Sequence, residues 1–416
     1  MEFKFEKLKK YAKLINGFAY KSGDYIDTGI PIVKIKNITP PNVDLEGCDY
    51  VSEEVFESTK EYALKFGDIL ISMTGSGVNQ MSSAVGKVGR VKFNQKALQN
   101  QRVGKFEIID ENKYNYDFLY YYLSQRKLLG YFVTNSTGSA NQANISKTLI
   151  EDTFIPDIDI NIQNLISKIL LTYDKKIEIN NKIIANLEAQ AQALFKYYFI
   201  DFEPFADGNF VDSNLGLIPE GWEVSNLEKI ANYKNGIAIK KFPPKDKDNS
   251  LPALKIRELN QNSTDESSDV VGNYIDESVK VYDGDVIFSW SGTLLVKIWT
   301  GGDAGLNQHL FKVTSEKYDK WFYYLWTLYH LEKFISIARD KATTMGHIKR
   351  SHLKESKVLI CDEKTYKKVN DVINPIMESI INLGIQNQTL AQARDALLPR
   401  LMAGEIDLEG LGGSYD

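Results

Sequence analysis

The sequence predicts an α+β protein built twice: two similar mixed α/β domains, each followed by a long helix, the two helices pairing as an antiparallel coiled coil. Three observations carry this. In 161–199, apolar residues fall at Ile166, Leu170, Tyr173, Ile177, Ile184, Leu187, Ala191, Leu194 and Tyr198, in alternating steps of four and three that only Asn180 interrupts. A seam of that period, sustained this long, signals a coiled-coil helix; ordinary amphipathic helices are shorter and show a wider apolar stripe. A second stretch, 365–402, repeats the seam at Val369, Ile373, Ile376, Ile380, Leu383, Asn387, Leu390, Arg394, Leu397 and Leu401, each position 203 residues after its counterpart (369 minus 166, for example). The same offset carries Ile145, Ile150 and Ile155 onto Ile348, Leu353 and Val358 without a gap. The chain therefore reads as a duplication with a period near half its length.

Composition sets outer bounds. A chain of 416 residues with 43% hydrophobic content has room for two or three ordinary domains. Its net charge of −5 excludes nucleic-acid binding by bulk charge alone, so any such site is a local patch or is completed by a basic partner. Cys48 and Cys361 stand in no metal or redox spacing and read as buried structural residues of a reducing compartment. With no apolar leader-like core near the N-terminus and no run of 18 apolar residues, the expectation is a cytoplasmic protein.

In chain order, 1–158 is expected to be the first domain, 159–200 its long helix, 201–216 a linker, 217–362 the second domain, 363–403 the second long helix and 404–416 a tail. The first domain opens with a helical segment at 8–14, then the turn Asn16-Gly17. Residues 32–38 alternate as a strand does, Gly67-Asp68 turns into the apolar run Ile69-Leu70-Ile71, and 85–91 and 104–109 read as further strands. An aromatic segment, 116–129, reads as one helix. The second domain repeats the plan at Asn235-Gly236, at 254–257, at Gly284-Asp285-Val286-Ile287 and in the aromatic helix 321–334. Offsets drift from 219 at the Asn-Gly turns (235 minus 16) to 203 at the helices, so the length differences lie in the globular parts.

The chemistry present is recognition chemistry. No phosphate loop, dinucleotide fingerprint, HExxH or Cys/His metal spacing occurs. Thr74-Gly75-Ser76-Gly77 lacks the Lys-Ser/Thr of a phosphate cradle, and Glu53-Glu54 and Asp265-Glu266 lie in polar, surface-like stretches. His309, His347 and His352 read as hydrogen-bonding groups and not as a metal site. Side chains that match the donors and acceptors of base edges are Arg, Lys, Asn, Gln, Ser, Thr and sometimes His. They cluster in loops 72–80, 99–102 and 136–147 of the first domain and in 289–294, 307–309 and 343–352 of the second. The candidate DNA contacts are Lys34, Lys36, Ser72, Asn79, Asn100, Gln101, Arg102, Ser139, Asn141, Gln142, Ser146 and Lys147 in the first domain. In the second they are Lys255, Arg257, Ser289, Ser291, Thr293, Asn307, Gln308, His309, Thr344, His347, Lys349 and Arg350.

The helix pair has an expected register. A seam Asn facing a hydrophobe would leave its amide unsatisfied, at about 1–3 kcal/mol, so Asn180 is matched with Asn387. Antiparallel pairing then joins Ile166 to Leu401, Leu170 to Leu397, Tyr173 to Arg394, Ile177 to Leu390, Ile184 to Leu383, Leu187 to Ile380, Ala191 to Ile376, Leu194 to Ile373 and Tyr198 to Val369. Pro375 is expected to bend the second helix.

These features together resemble the specificity (S) subunit of type I restriction-modification enzymes. The resemblance covers essentially the whole chain and rests on Ile218-Pro219-Glu220-Gly221-Trp222, on Gly67-Asp68-Ile69-Leu70 and Gly284-Asp285-Val286-Ile287, and above all on 394–406, RDALLPRLMAGEI. No counterpart of the IPEGW segment precedes the first domain. The resemblance implies a non-catalytic DNA-recognition subunit with two target-recognition domains, each reading one half of a split target. Its implied partners are double-stranded DNA, modification (methyltransferase) subunits and restriction (endonuclease/translocase) subunits. S-adenosylmethionine, ATP and Mg are expected on those partners, with no cofactor on this chain. The competing readings are a coiled-coil scaffold, which predicts exposed apolar patches in place of polar loops, and a fragment whose catalytic half lies on another chain.

Overall fold

The computed structural model describes residues 3–77, 85–139, 142–246, 249–340, 346–406 and 408. Two compact units divide the chain: Met1–Asp174 with Ala393–Asp416, and Lys175–Gln392. Each unit thus holds one globular domain and a piece of both long helices.

In the first unit, six strands hydrogen-bond in the order Ala12–Asn16, Val103–Ile108, Ile69–Ser72, Val88–Val91, Asn42–Val43 and Ile38–Thr39. All neighbours are antiparallel except Val88–Val91 with Asn42–Val43. The unit also holds a four-stranded sheet, Leu98–Gln99, Ile30–Val33, Asp49–Val51 and Tyr25–Ile26, and a short three-stranded one, Thr137–Ser139, Gln142–Asn144 and Thr74–Gly75. Gly67, at φ 93°, takes the left-handed turn into Ile69–Ser72, and the Asp68 carboxylate closes that turn by accepting from the Lys65 N–H at 2.9 Å. The aromatic segment is two helices, Tyr116–Leu123 and Arg126–Thr134, the first N-capped by Asn115. They bury Phe118, Leu119 and Phe132 against Leu14, Ile69, Ile71 and Phe106. Ile166 and Leu170 of one long helix and Leu401 and Met402 of the other join the same core.

The second unit repeats this. Asn232–Asn235, Leu310–Thr314, Val286–Ser289 and Leu295–Ile298 form an antiparallel sheet, and Val270–Gly272, Ser250–Leu254, Ala304–Leu306 and Lys280–Val281 form a second. The edge pairing of Lys4–Lys7 with Phe154–Asp157 recurs as Glu223–Asn226 with Lys357–Ile360. Each aromatic helix is tied to its own long helix by the same bond: Gln163 Oε1 accepts from the Asn115 N–H and Tyr366 Oη from the Asp319 N–H, both at 2.8 Å. These pairs are related by the duplication, 366 minus 163 being 203 on the long helices and 319 minus 115 being 204 at the caps of the aromatic ones.

The long helices are Ile160–Phe199 and Glu363–Met402, 40 residues each, and they pair antiparallel. In the second unit, Ile184, Leu187, Ala191, Leu194 and Tyr198 share one core with Val369, Ile373, Ile376 and Ile380. Asn180 donates through Nδ2 to Asn387 Oδ1 at 2.9 Å and to Gln386 Oε1 at 2.7 Å, while Asn387 Nδ2 donates to Asn181 Oδ1 at 2.8 Å. The two asparagines are therefore level. Between 175 and 190, Asn180 is the one fully buried residue, and none is fully buried between 381 and 392. Polar contacts thus locate this section, where two helices alone bury only a single seam. In the first unit Arg394 turns from Tyr173 to the next residue, Asp174, at 2.6 Å. Pro375 lies inside an unbroken helix, its carbonyl accepting from Ser379 Oγ at 2.8 Å.

Four sequence expectations are corrected. Residues 8–14 are a one-turn 3-10 helix, Leu8–Lys10, followed by the strand Ala12–Asn16, because alternation of buried Ala12 and Leu14 with exposed Lys13 suits a sheet edge. The strand expected over 32–38 is Ile30–Val33 and then a 3-10 turn, Ile35–Asn37, closed by Asn37 Oδ1 on the Lys34 N–H at 3.0 Å. In the second domain 321–334 is likewise two helices, Lys320–Tyr329 and Leu331–Asp340. The polar stretch 201–216 carries structure of its own: Phe202 and Phe205 pack on Trp222, and Phe210–Ser213 pairs with Gly216–Pro219 as a hairpin.

Candidate nucleic-acid interface

In both domains three loops are stapled together by one residue that follows the central strand. Met73 leaves Ile69–Ser72, donates its N–H to the Arg102 carbonyl at 2.9 Å and accepts from the Ile145 N–H at 3.0 Å. Trp290 leaves Val286–Ser289, donates to the His309 carbonyl at 3.3 Å and accepts from the Ile348 N–H at 3.1 Å. The Asn-Gly turns pack behind: a Cβ on Gly17 would sit 2.3 Å from the Asn100 carbonyl oxygen, and one on Gly236 would sit 2.3 Å from that of Asn307. Glycine is required there by close approach of two backbones. The loops that sequence composition singles out are thus brought to one place in each domain by equivalent bonds.

On the first of these surfaces Gln101, Arg102, Gln142, Ser146 and Lys147 are exposed and Asn100 is half-buried. Ser146 also N-caps Lys147–Glu151, and Lys147 reaches Glu151 at 3.5 Å. Lys36 is exposed on its 3-10 turn. On the second surface Thr293, Gln308, His347, Lys349 and Arg350 are exposed, with Asn307 and His309 half-buried. Asn307 Oδ1 accepts from the His309 N–H at 3.2 Å, fixing the loop, and Gln308 Nε2 lies 3.2 Å from His309 Nε2. Arg350 is shared between the Glu228 carboxylate, at 3.4 Å, and the Tyr233 carbonyl, at 3.0 Å. Asn79, Asn141 and Thr344, and the side chain of Ser139, lie outside the described residues.

Six candidates are placed elsewhere than on a free reading surface. Ser72 and Ser289 are 2% and 0% exposed, because each strand runs on through its serine and turns the hydroxyl inward. Ser72 Oγ accepts from the Lys87 N–H at 3.0 Å, and Ser289 Oγ donates to the Ser291 carbonyl at 3.2 Å. Ser291 is buried too, its backbone bridging to His347. Lys34 pairs with Asp49 at 2.6 Å and lies over the Tyr25 ring. Burial works to depress the Lys34 ammonium, but Asp49 and then Tyr25 hold it above the ordinary lysine value, while Lys34 holds the Asp49 carboxyl below its own. Lys255 makes the equivalent ion pair with Asp269. Arg257 donates to buried Glu258 at 2.6 Å, to Ser267 at 2.7 Å and to Ser268 at 3.2 Å. These cations close acidic partners of their own domain.

Trp290 is the residue that sequence reasoning passed over. Its ring stacks on Phe311 at 5.7 Å and meets His309 at 6.1 Å and His347 at 6.2 Å, while Nε1 donates to Asn235 Oδ1 at 3.1 Å. The available signal was a lone tryptophan within a polar loop, aligned with Met73 once the strands Ile69–Ser72 and Val286–Ser289 are superposed. Among the described residues, no group of three or more His, Cys, Asp or Glu is placed to hold a metal, and no helix is long and apolar enough to cross a membrane.

Comparison with known proteins agrees with this geometry. The family described as type I restriction modification DNA specificity domain matches residues 2–189 and 219–393, one match over each half. The type I restriction enzyme MjaIX specificity subunit of Methanocaldococcus jannaschii is 29% identical over 300 residues, 70% of this chain and 69% of that protein. The HindI specificity subunit of Haemophilus influenzae is 22% identical over an alignment covering 86% of this chain and 91% of the relative. The fold is shared with the type I restriction-modification S subunit from M. genitalium, at TM-score 0.53 and 12% identity over 96% of both chains. With the family matched twice along its length, the chain belongs to the type I restriction-modification DNA specificity family, and its role is recognition of a DNA sequence, not catalysis.

Proposed function

We propose that this chain reads a two-part DNA target, one half-site through the loops around Met73 and Arg102 and the other through the loops around Trp290 and His309. It directs separate modification and restriction subunits, which carry the methyl donor, ATP and Mg, to that target. The observation that supports this reading is the duplicated staple: two three-loop surfaces, held by equivalent backbone bonds, presenting different side chains. Equal frames with unequal readers suit an asymmetric, split sequence, since sequence is read by side chains on base edges.

The test is exchange. Replacing 227–345 with the corresponding segment of a relative is expected to change one half-site and leave the other intact, as mapped by methylome sequencing of a host carrying the complete system. A change in both half-sites, or in neither, sinks the reading. Within one domain, Arg102→Ala and His309→Ala are each expected to weaken specific binding by about 1–3 kcal/mol at fixed salt, the worth of a good base contact.

A further inference from the structure

The second surface has an apolar centre that the first lacks. Trp290 is fixed from every side: its backbone N–H and carbonyl are bonded to His309 and Ile348, and its ring is backed by Phe311. Its one polar side-chain atom, Nε1, is already engaged by Asn235. The half-buried indole therefore presents carbon, rimmed by His309 and His347, and cannot read a base by hydrogen bonding. At the equivalent place in the first domain, Met73 is 8% exposed and packed into the core. In the major groove the apolar group that distinguishes one base pair from another is the thymine methyl.

We propose that Trp290 is a specificity-determining residue of the second domain, its indole making an apolar contact with the 5-methyl group of a thymine in the half-site which that domain reads. The inference rests on the reading of this surface as the DNA-contacting one. A rigid, pre-positioned ring loses little freedom on binding, so the contact discriminates by shape: cytosine, which has no methyl, leaves the indole uncovered.

The probe is a duplex carrying the methylome-mapped target with the thymines of one half-site replaced by deoxyuridine, which removes the methyl and keeps every hydrogen-bonding group. Binding of the full-length chain in its complex is expected to weaken about fourfold when the substituted half-site is the one assigned to 227–345, the equilibrium equivalent of one uncovered methyl-sized group. Trp290→Ala is expected to abolish that difference while leaving the response to uracil in the other half-site unchanged, and Trp290→Phe to retain most of it. Unchanged wild-type binding to the uracil duplex, a half-site with no thymine on either strand, or a full uracil penalty in a folded Trp290→Ala protein each overturns the proposal. The wild-type arm needs no variant, so misfolding of Trp290→Ala leaves it decisive. If domain exchange fails to move a half-site, the broader reading has failed instead.

Discussion

The same place in the two halves is built from opposite chemistry. In the first unit Asp174 accepts from Tyr121 Oη at 2.5 Å and pairs with Arg394 at 2.6 Å. Burial first, and then Asp174, hold the Tyr121 phenol far above its ordinary pKa. The 203-residue offset of the long helices carries Asp174 and Arg394 to Met377 and Ala191, and the 204-residue offset of the capped aromatic helices (319 minus 115) carries Tyr121 to Leu325, all three buried in one apolar cluster of the second unit. The backbone geometry has been kept while an ion pair on one side stands where a thioether and a methyl stand on the other. A frame is thus specified by where groups sit and by their being satisfied, and not by whether they are polar.

The comparison is sharpened most strongly at Phe118 and Phe322, each three residues after the cap of its aromatic helix and both 0% exposed. Either one changed to Ala is expected to cost about 3–5 kcal/mol in urea unfolding. A clearly smaller loss at one of them would break the equivalence of the two cores. Next, Arg394→Ala strands the Asp174 carboxylate and is expected to cost about 2–3 kcal/mol, somewhat below a fully buried pair. The double change Asp174→Met with Arg394→Ala, which copies the second unit, is expected to recover most of that; failure to recover would mean that the first unit requires its ion pair.

Asn387→Leu is expected to destabilise by about 1–2 kcal/mol, because Asn180 loses a partner inside the helix pair. With Asn180→Leu added, stability returns but register specificity falls. Cysteines at 177 and 390 report this: efficient cross-linking in the parent, diluted by heptad-shifted species in the double variant. The smallest effects are at the equivalent ion pairs Lys34–Asp49 and Lys255–Asp269. Lys34→Ala and Lys255→Ala are each expected to cost under about 1 kcal/mol. They are also expected to leave the salt dependence of DNA binding unaltered, whereas loss of a phosphate contact lowers the slope by about one.

What could be read in the sequence was whatever repeats with a period. The heptad seam, the 203-residue offset and the Gly-Asp turn into a strand are local patterns, and each marks an element of the fold. What escaped depends on partners distant in sequence. Lys34 and Lys255 looked like free cations because Asp49 lies on, and Asp269 just before, a neighbouring strand, and Ser72 looked like a loop residue because nothing local says that the strand continues through it. Trp290 escaped because its position is set by three separate loops. The exposed candidates Gln101, Arg102 and Gln308 and the half-buried His309 were accessible to reasoning since adjacent turn residues place them.

The make-up of the first compact unit sets an order of events during synthesis. Its core needs Leu401 and Met402, which emerge from the ribosome after every residue of the second unit has been made. At roughly 5–20 residues per second, the interval from Asp174 to Ala393 lasts on the order of ten to forty seconds. Throughout it Ile166 and Leu170 wait without the apolar neighbours that the end of the chain supplies. The half translated first is the half completed last, and chains truncated before 393 are the natural clients of chaperones and proteases.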